Sequence, residues 1–463
     1  MNHSKALPSF LQAWDACALR AQGELPEPLM IAARRNMFDT VAALAGGVRE
    51  NTTQAAARAC GAHGGVTLSP TDAAMVLGTA SHALDYDDVC MLATCHPSAP
   101  VVAALLAMQP LLQKERPELT FRDLLAAYVL GTETLLRLGQ WLGFHHYALG
   151  FHATSTLGTV GVAAAAAHVL SLSREQSHAA LSIAASSACG LRANFGTDTK
   201  PLHVGFAASG GLRAVMLARS GASASDDIWS HVGGFASAFN GGNVPVFEWV
   251  GGSDWAMVQP GFEHKRYPSC YMTHRLIAGV LRIRQRHAHA TGQSVQIEIE
   301  MPQNGTAPLK HPHPMTGLQA KFSGQYCAAA AWLDGKVSLA TFTDSAVKGV
   351  LVRERMRHVH IHERDAAGES LDSAPVKVTI MGEGWTDQIL VNWAPGSSAD
   401  PMTREELRDK WQDCTRHGGL ITNDAIAMRL LDEQSDISAQ DLWQPLHDAM
   451  KAAIVHSANG NLS

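Results

Sequence analysis

From its N-terminus to about residue 260 the chain is a succession of Ala- and Leu-rich segments with helical spacing, and strand-like alternation begins only after His264. That asymmetry constrains the fold more than any single motif. The stretches 158–169, 183–190 and 205–222 are dense in Ala, Gly and Ser, residues small enough to let helix backbones approach closely. Thr120 with Asp123, and Ser173 with Gln176, have the spacing of capping boxes ahead of apolar periodic runs. Further on, 294–300, 358–362 and 376–380 alternate with period two, and 388–393 continues the pattern after the turn residues Gly382-Glu383-Gly384. Pro395 to Ser398 break it, and Thr403 with Glu406 can open another helix. The expected fold is mainly α: a large all-helical domain built from both chain ends, 1–262 and 398–463, carrying an inserted smaller α+β domain over 263–397.

Composition narrows the partners. With 463 residues, 46% apolar and only 17% charged, the chain can bury a large core and wall a deep pocket, and it is neither disordered nor a coiled coil. A net charge of -6 without basic blocks argues against nucleic acid. The eight cysteines, at 17, 60, 90, 95, 189, 270, 327 and 414, lack the spacing of a disulfide framework and read as reduced. Residues Met1 to Pro8 carry no secretory signal pattern, so a cytoplasmic location is expected. The most apolar run, 157–170, is interrupted by Thr159 and His168 and is shorter than the roughly 18 to 20 residues of a membrane span, so it reads as a buried helix. Histidines number 23, whereas lysines number 11 against 25 arginines, so each lysine invites a reason.

Five segments concentrate chemistry. His82-Ala83-Leu84-Asp85-Tyr86-Asp87-Asp88 with His96-Pro97-Ser98 sets three carboxylates beside two histidines, a composition suited to acid and base work; the plainer alternative is helix capping or a wetted face. Gly150-Phe151-His152 precedes hydroxyl residues where a helix begins and offers unpaired amides to an anion, or is only a glycine-rich turn. The segment from Asn194 to Gly205 places Lys200 in an expected loop before an Ala-rich helix, to meet a carboxylate or to snorkel to solvent. Lys265, Arg266 and Tyr267 cluster with His264 where the texture changes, and domain junctions favour clefts. The fifth runs from His311 to Gly317 and on through Lys321 to Tyr326, a tyrosine able to donate a proton or bind a carboxylate. His358, His360 and His362 share one strand face and read as solvated, and His145-His146 is ambiguous. Metal is the minority reading, because no compact ligand repeat such as His-Glu-x-x-His occurs.

Taken in order, these segments resemble the MmgE/PrpD family, which contains 2-methylcitrate dehydratases, cis-aconitate decarboxylases and iminodisuccinate epimerases. The resemblance rests on the His82 to Asp88 motif with His96-Pro97-Ser98, on Gly150-Phe151-His152, on Thr199-Lys200, on the Lys265 to Cys270 segment and on Thr316 to Ser323. It implies a homodimer with a helical domain and a smaller α+β lid, acting on a small di- or tricarboxylate with no metal or organic cofactor. It also implies a pocket of Asp85, His96, His152, Lys200, Lys265 and Tyr326, with Tyr267 and His274 close by. On that basis His152 or His96 transfers a proton, Asp85 orients an imidazole, Lys200 and Lys265 hold substrate carboxylates, and Tyr326 donates a proton or anchors. The shared step is proton abstraction next to a carboxylate, with cations stabilising the carbanion.

One departure stands out: Val89 follows the paired aspartates where decarboxylase-like members carry Thr. The expectation is therefore a 2-methylcitrate dehydratase-like hydro-lyase first, an iminodisuccinate epimerase-like isomerase second and a cis-aconitate decarboxylase-like carboxy-lyase third. The rival classes are a non-catalytic helical scaffold and a metal hydrolase.

Overall fold

A computed structural model describes residues 9–62, 67–252, 254–290, 292–365, 371, 374–420, 424–432 and 438–460; the segment 1–8 read above for a signal lies outside them. The chain divides into two compact units, Met1–Phe262 with Cys414–Ser463, and Glu263–Asp413. The second break falls inside the helix Arg404–Gly418, not at the Pro395 to Ser398 turn. The reason is burial: Leu407, Lys410 and Trp411 on its first half are all buried, and Lys410 Nζ donates to the Lys265 carbonyl at 3.0 Å.

The first unit is helical, and glycines decide where its helices cross. A Cβ on Gly78 would stand 2.8 Å from the Val204 carbonyl and one on Gly205 would stand 2.5 Å from the Met75 carbonyl, so the helices Pro70–His82 and Thr199–Arg219 touch backbone to backbone there. Phe121–Ala148 meets Ala153–Val169 in the same way at Gly131 and Gly161. Gly211 brings Thr199–Arg219 against the Thr159 carbonyl at 2.6 Å. These crossings set the C-terminal end of one helix, at His82, beside the N-terminal ends of two others, at His152 and Lys200. Both expected capping boxes are present at Thr120 and Ser173, and a third starts the helix Arg404–Gly418, where Thr403 Oγ1 accepts from the Glu406 amide and the Glu406 carboxylate from the Thr403 amide.

The second unit holds a four-stranded sheet of β1 (Gln296–Pro302), β2 (Val359–Arg364), β3 (Val376–Gly382) and β4 (Trp385–Val391) in the order β2-β1-β3-β4, with only β1 and β2 parallel. Glu383 and Gly384 make the two-residue hairpin turn, and Gly384 takes a φ of +77° that suits glycine. Ile297 and Ile299 of β1 pair with Ile380 and Val378 and face Leu276, Ile277, Val280 and Ile283 of the helix His274–Arg286. The opposite face carries Glu298 and Glu300 beside His360 and His362, which are exposed, as their alternation suggested. No helix among the described residues is long and apolar enough to cross a membrane.

Candidate active site

The helix Pro70–His82 ends on a buried histidine, and the loop that follows is tied at both ends. Cys90 and Cys95 exchange both backbone hydrogen bonds, at 2.9 and 3.2 Å. Asp88 accepts from the Ser98 amide at 3.3 Å and from the Ser98 hydroxyl, which itself lies 2.5 Å from the Tyr128 hydroxyl. Burial, with Asp39 nearby, raises the Asp88 carboxyl well above the ordinary carboxylate range. The three aspartates are therefore buried, neither capping helices at the surface nor wetted.

Each aspartate has a different partner. Asp85, held at a φ of +53°, receives Lys200 Nζ at 2.6 Å, and both side chains are under a tenth exposed. Lys200 is not in a loop: it is the second residue of Thr199–Arg219, because Pro201 fits the first turn of a helix, where an amide has no intrahelical partner. Its ammonium stands 5.3 Å from the centroid of the Phe195 ring. Asp87 meets His82 Nδ1 at 2.9 Å and His96 Nδ1 at 3.2 Å. Asp85 was expected to orient an imidazole, but its contact with His96 Nε2 is 3.8 Å, longer than its bond to Lys200. Burial works against charge on Asp87, yet the two imidazoles together hold it well below the ordinary carboxylate range. His82 is driven the other way: burial, only partly opposed by Asp87, pushes it down to about 3, so it is neutral and donates its Nδ1 hydrogen to a charged Asp87.

His152 stands at the start of Ala153–Val169, its amide donating to the Gly190 carbonyl at 3.1 Å. Its ring lies 5.7 Å from that of His82 between centroids and meets Phe195 edge-on. Burial first, then His82 and Lys200, hold His152 well below its ordinary range. Its Nδ1 is 3.1 Å from Nδ1 of His203, which lies inside the Asn194 to Gly205 segment but was not among the expected site residues. The signal was available: His203 follows Lys200 by three on one helix, which puts both on one face. The His96 amide donates to Thr154 Oγ1 at 3.0 Å, joining the aspartate loop to the His152 helix. Outside the cluster, His146 is buried between the Phe239 carbonyl and Thr156 Oγ1, and His145 is exposed.

The other four expected residues belong to the second unit. Lys265 is buried. Tyr267 meets His274 edge-on at 5.2 Å, and burial pushes its phenol up to about 12. It also lines a cavity of about 330 Å³ whose Arg266 and Arg282 are matched by Glu406 at 3.5 Å and Asp400 at 3.6 Å. His274 begins its helix with Nε2 3.4 Å from the Ser269 carbonyl. Tyr326 is part of the unit's apolar core, its hydroxyl donates to the Thr341 carbonyl, and burial raises its pKa.

A neutral imidazole pair, an imidazole on a buried carboxylate and a buried lysine can move protons and hold an anion. His82, Asp87 and His96 also offer one atom each within 4.8 Å of one another, spacing that can hold a metal ion. The 2.9 Å approach of His82 Nδ1 to Asp87 is a hydrogen bond, whereas His96 Nδ1, 3.2 Å from Asp87, makes none among the described residues.

The buried histidines carry a pH signature. Between the folded-state value near 3 and the ordinary 6.5 of His82, the unfolded chain binds a proton that the folded chain refuses, and His152 acts in the same direction. Stability from each is complete above 6.5 and is lost as pH falls, by up to about 1.4 kcal/mol per pH unit. Thermal melts from about pH 7 to pH 4 are expected to show a steadily falling Tm. A flat Tm over that range would mean these rings are charged in the fold.

Small-residue helix crossings that converge on imidazoles, with a separate α+β unit, define the class. Residues 16–248 match the MmgE/PrpD N-terminal domain and residues 267–432 the MmgE/PrpD C-terminal domain, and the chain belongs to that family. Its relatives include the cis-aconitate decarboxylase of Homo sapiens, 31% identical over 362 residues that cover 75% of this chain and 73% of that one. The Mus musculus cis-aconitate decarboxylase is 31% identical over 359 residues, 74% and 72% of the two chains, and that of Aspergillus terreus (strain NIH 2624 / FGSC A1156) is 25% identical over 421 residues, 84% of each. The order of activities that put a hydro-lyase first and an isomerase second finds no support among these relatives, which are carboxy-lyases by name.

Proposed function

We propose that this chain is a lyase that removes carbon dioxide from a small unsaturated tricarboxylate of the cis-aconitate type. The observation that carries this reading is the similarity to cis-aconitate decarboxylases over about three quarters of the chain. The site is consistent with the chemistry. The bond from a methylene carbon to its carboxylate breaks, the electrons move across the neighbouring double bond, and charge arrives on a carbon beside another carboxylate. One proton delivered there completes a methylidene dicarboxylate. A trianion and a proton thus become carbon dioxide and a dianion, with no change in electron count. His152 or His96 relays the proton from solvent, taking it up on one ring nitrogen as it releases one from the other, and Lys200 stabilises the charge that develops on the carboxylate oxygens. Asp85 holds Lys200 in place. The family resemblance assigns Lys265, Tyr267, His274 and Tyr326 to the same substrate, and it implies a cytoplasmic homodimer.

A second reading, elimination of a β-hydroxyl, forms its carbanion next to a carboxylate by proton removal in place of carbon dioxide loss, and is favoured by Val89, which stands where decarboxylase-like members carry Thr. Incubating purified protein separately with cis-aconitate, 2-methylcitrate, citrate and iminodisuccinate in deuterated water separates the readings. The expected result is carbon dioxide from cis-aconitate and a product carrying one new deuterium. Dehydration of 2-methylcitrate without carbon dioxide would move the chain to the hydro-lyases, and label without net reaction in iminodisuccinate to the epimerases. Neither product nor label from any of them would leave a helical scaffold without this chemistry.

A further inference from the structure

We infer that His203 is a positioning residue for His152 and the route by which protons reach it, the two rings sharing a single hydrogen between their Nδ1 atoms. Those atoms are hydrogen-bonded at 3.1 Å, and both residues are buried, at 2% and 3% exposure. Each backbone is pinned beside its ring. The His152 amide donates to the Gly190 carbonyl at 3.1 Å, and the Ser155 hydroxyl, in the first turn of the helix Ala153–Val169, donates to the His203 carbonyl at 2.9 Å. Glycine at 190 permits the approach, since a Cβ there would stand 2.8 Å from that of Ser155. The meeting of the two nitrogens is thus set by the helix crossing.

Two facing lone pairs repel at this distance, and two facing N–H groups leave no acceptor, so one ring donates and the other accepts. The tautomer of one ring then dictates that of the other, and the pair holds at most one positive charge. Neither Nε2 is used in a hydrogen bond among the described residues. A ring that gives up a proton from one nitrogen regains one at the other to stay neutral, and for His152 the nitrogen that must regain it is Nδ1, where His203 stands. When the His152 Nε2 proton passes to the substrate carbon, the shared proton moves from His203 Nδ1 to His152 Nδ1, and His203 takes a proton from water at its own Nε2. One proton leaves solvent, one arrives on carbon, and both rings are neutral before and after. With the site empty, the same shift run backwards restores the first tautomers. His203 lies toward the surface: its ring is 6.4 Å between centroids from that of Phe206, which is 42% exposed. The supply of protons rests on the proposed function; the shared hydrogen does not.

Two measurements keep these apart. With histidine labelled by nitrogen-15 in the full wild-type chain, and the two rings identified by the signals lost in His152→Gln and in His203→Gln, their Nδ1 signals are expected to account together for one hydrogen, with a coupling between the two nuclei across the bond. A hydrogen on both Nδ1 atoms, or on neither, would overturn the inference whatever the enzyme does. In kinetics, His203→Phe, which fills the space without a ring nitrogen, is expected to lower kcat by about 10- to 1,000-fold with little change in KM. In His203→Ala, added imidazole is expected to raise kcat in a saturating manner, a recovery that lost packing alone would not show. Wild-type kcat in His203→Phe, or a lowered kcat in His203→Ala that imidazole does not raise, would overturn the supply of protons through His203. A wild-type chain inactive on every polycarboxylate tested would sink the proposed function and that supply with it, while the shared hydrogen stands or falls by the nitrogen signals.

Discussion

Lys200→Ala is expected to lower kcat/KM by about 1,000-fold or more, because it removes a buried cation placed to meet charge as it develops on a substrate carboxylate. It also leaves Asp85 buried with its ion-pair partner gone, a loss that typically destabilises a fold by about 3–5 kcal/mol. The two effects separate in a second variant. Lys200→Met combined with Asp85→Asn removes both charges, and thermal melts of that double variant are expected to recover most of the lost stability while turnover stays low. Near-normal kinetics in Lys200→Ala would remove this lysine from the site, whatever its Tm. Lys265→Ala, on the second unit, is expected to cost turnover on a similar scale if it binds the same substrate.

The second large effect concerns the proton. His152 is neutral, buried and backed by His203, so His152→Gln removes the group able to carry a proton while keeping a polar side chain in the same place. If His152 relays the proton that completes the product, deuterium incorporation from solvent is expected to disappear and kcat to fall by about 100- to 10,000-fold. Retained incorporation with a lowered rate would transfer the role to His96. His203→Ala gives an internal check, because His203 reaches the chemistry only through His152; its effect on kcat is expected to vanish in the His152→Gln background.

What the sequence made legible was local. The boxes at Thr120, Ser173 and Thr403 were readable because both partners stand within one turn of helix. The strands were readable because alternation leaves Glu298 and Glu300 half-buried while it buries Ile297 and Ile299 fully. What stayed hidden was which partner each polar group chooses. Lys200 and Asp85 are 115 residues apart, His152 and His203 are 51 apart, and only the crossings at Gly78, Gly205 and Gly211 bring them together. The same blindness gave the imidazole-orienting role to Asp85 when Asp87, two residues on, has the closer nitrogens. Lys200 was read as a loop residue because Thr199-Lys200-Pro201 looks like a turn until Pro201 is seen to occupy a first helical turn.

The backbone of Asp85 bears on how the site should be dissected. An alanine scan assumes that each substitution subtracts a side chain and nothing else. At a φ of +53° that assumption fails, since a Cβ without a polar group to bond locally is strained there, whereas Asn adopts this conformation readily. The loss measured for Asp85→Ala would mix a bent loop, with His96 and Asp87 carried along, into the value ascribed to a missing charge. Asp85→Asn keeps the chain path and removes only the counter-ion of Lys200, so at this position the amide, and not alanine, is the reference state from which the carboxylate's contribution is read.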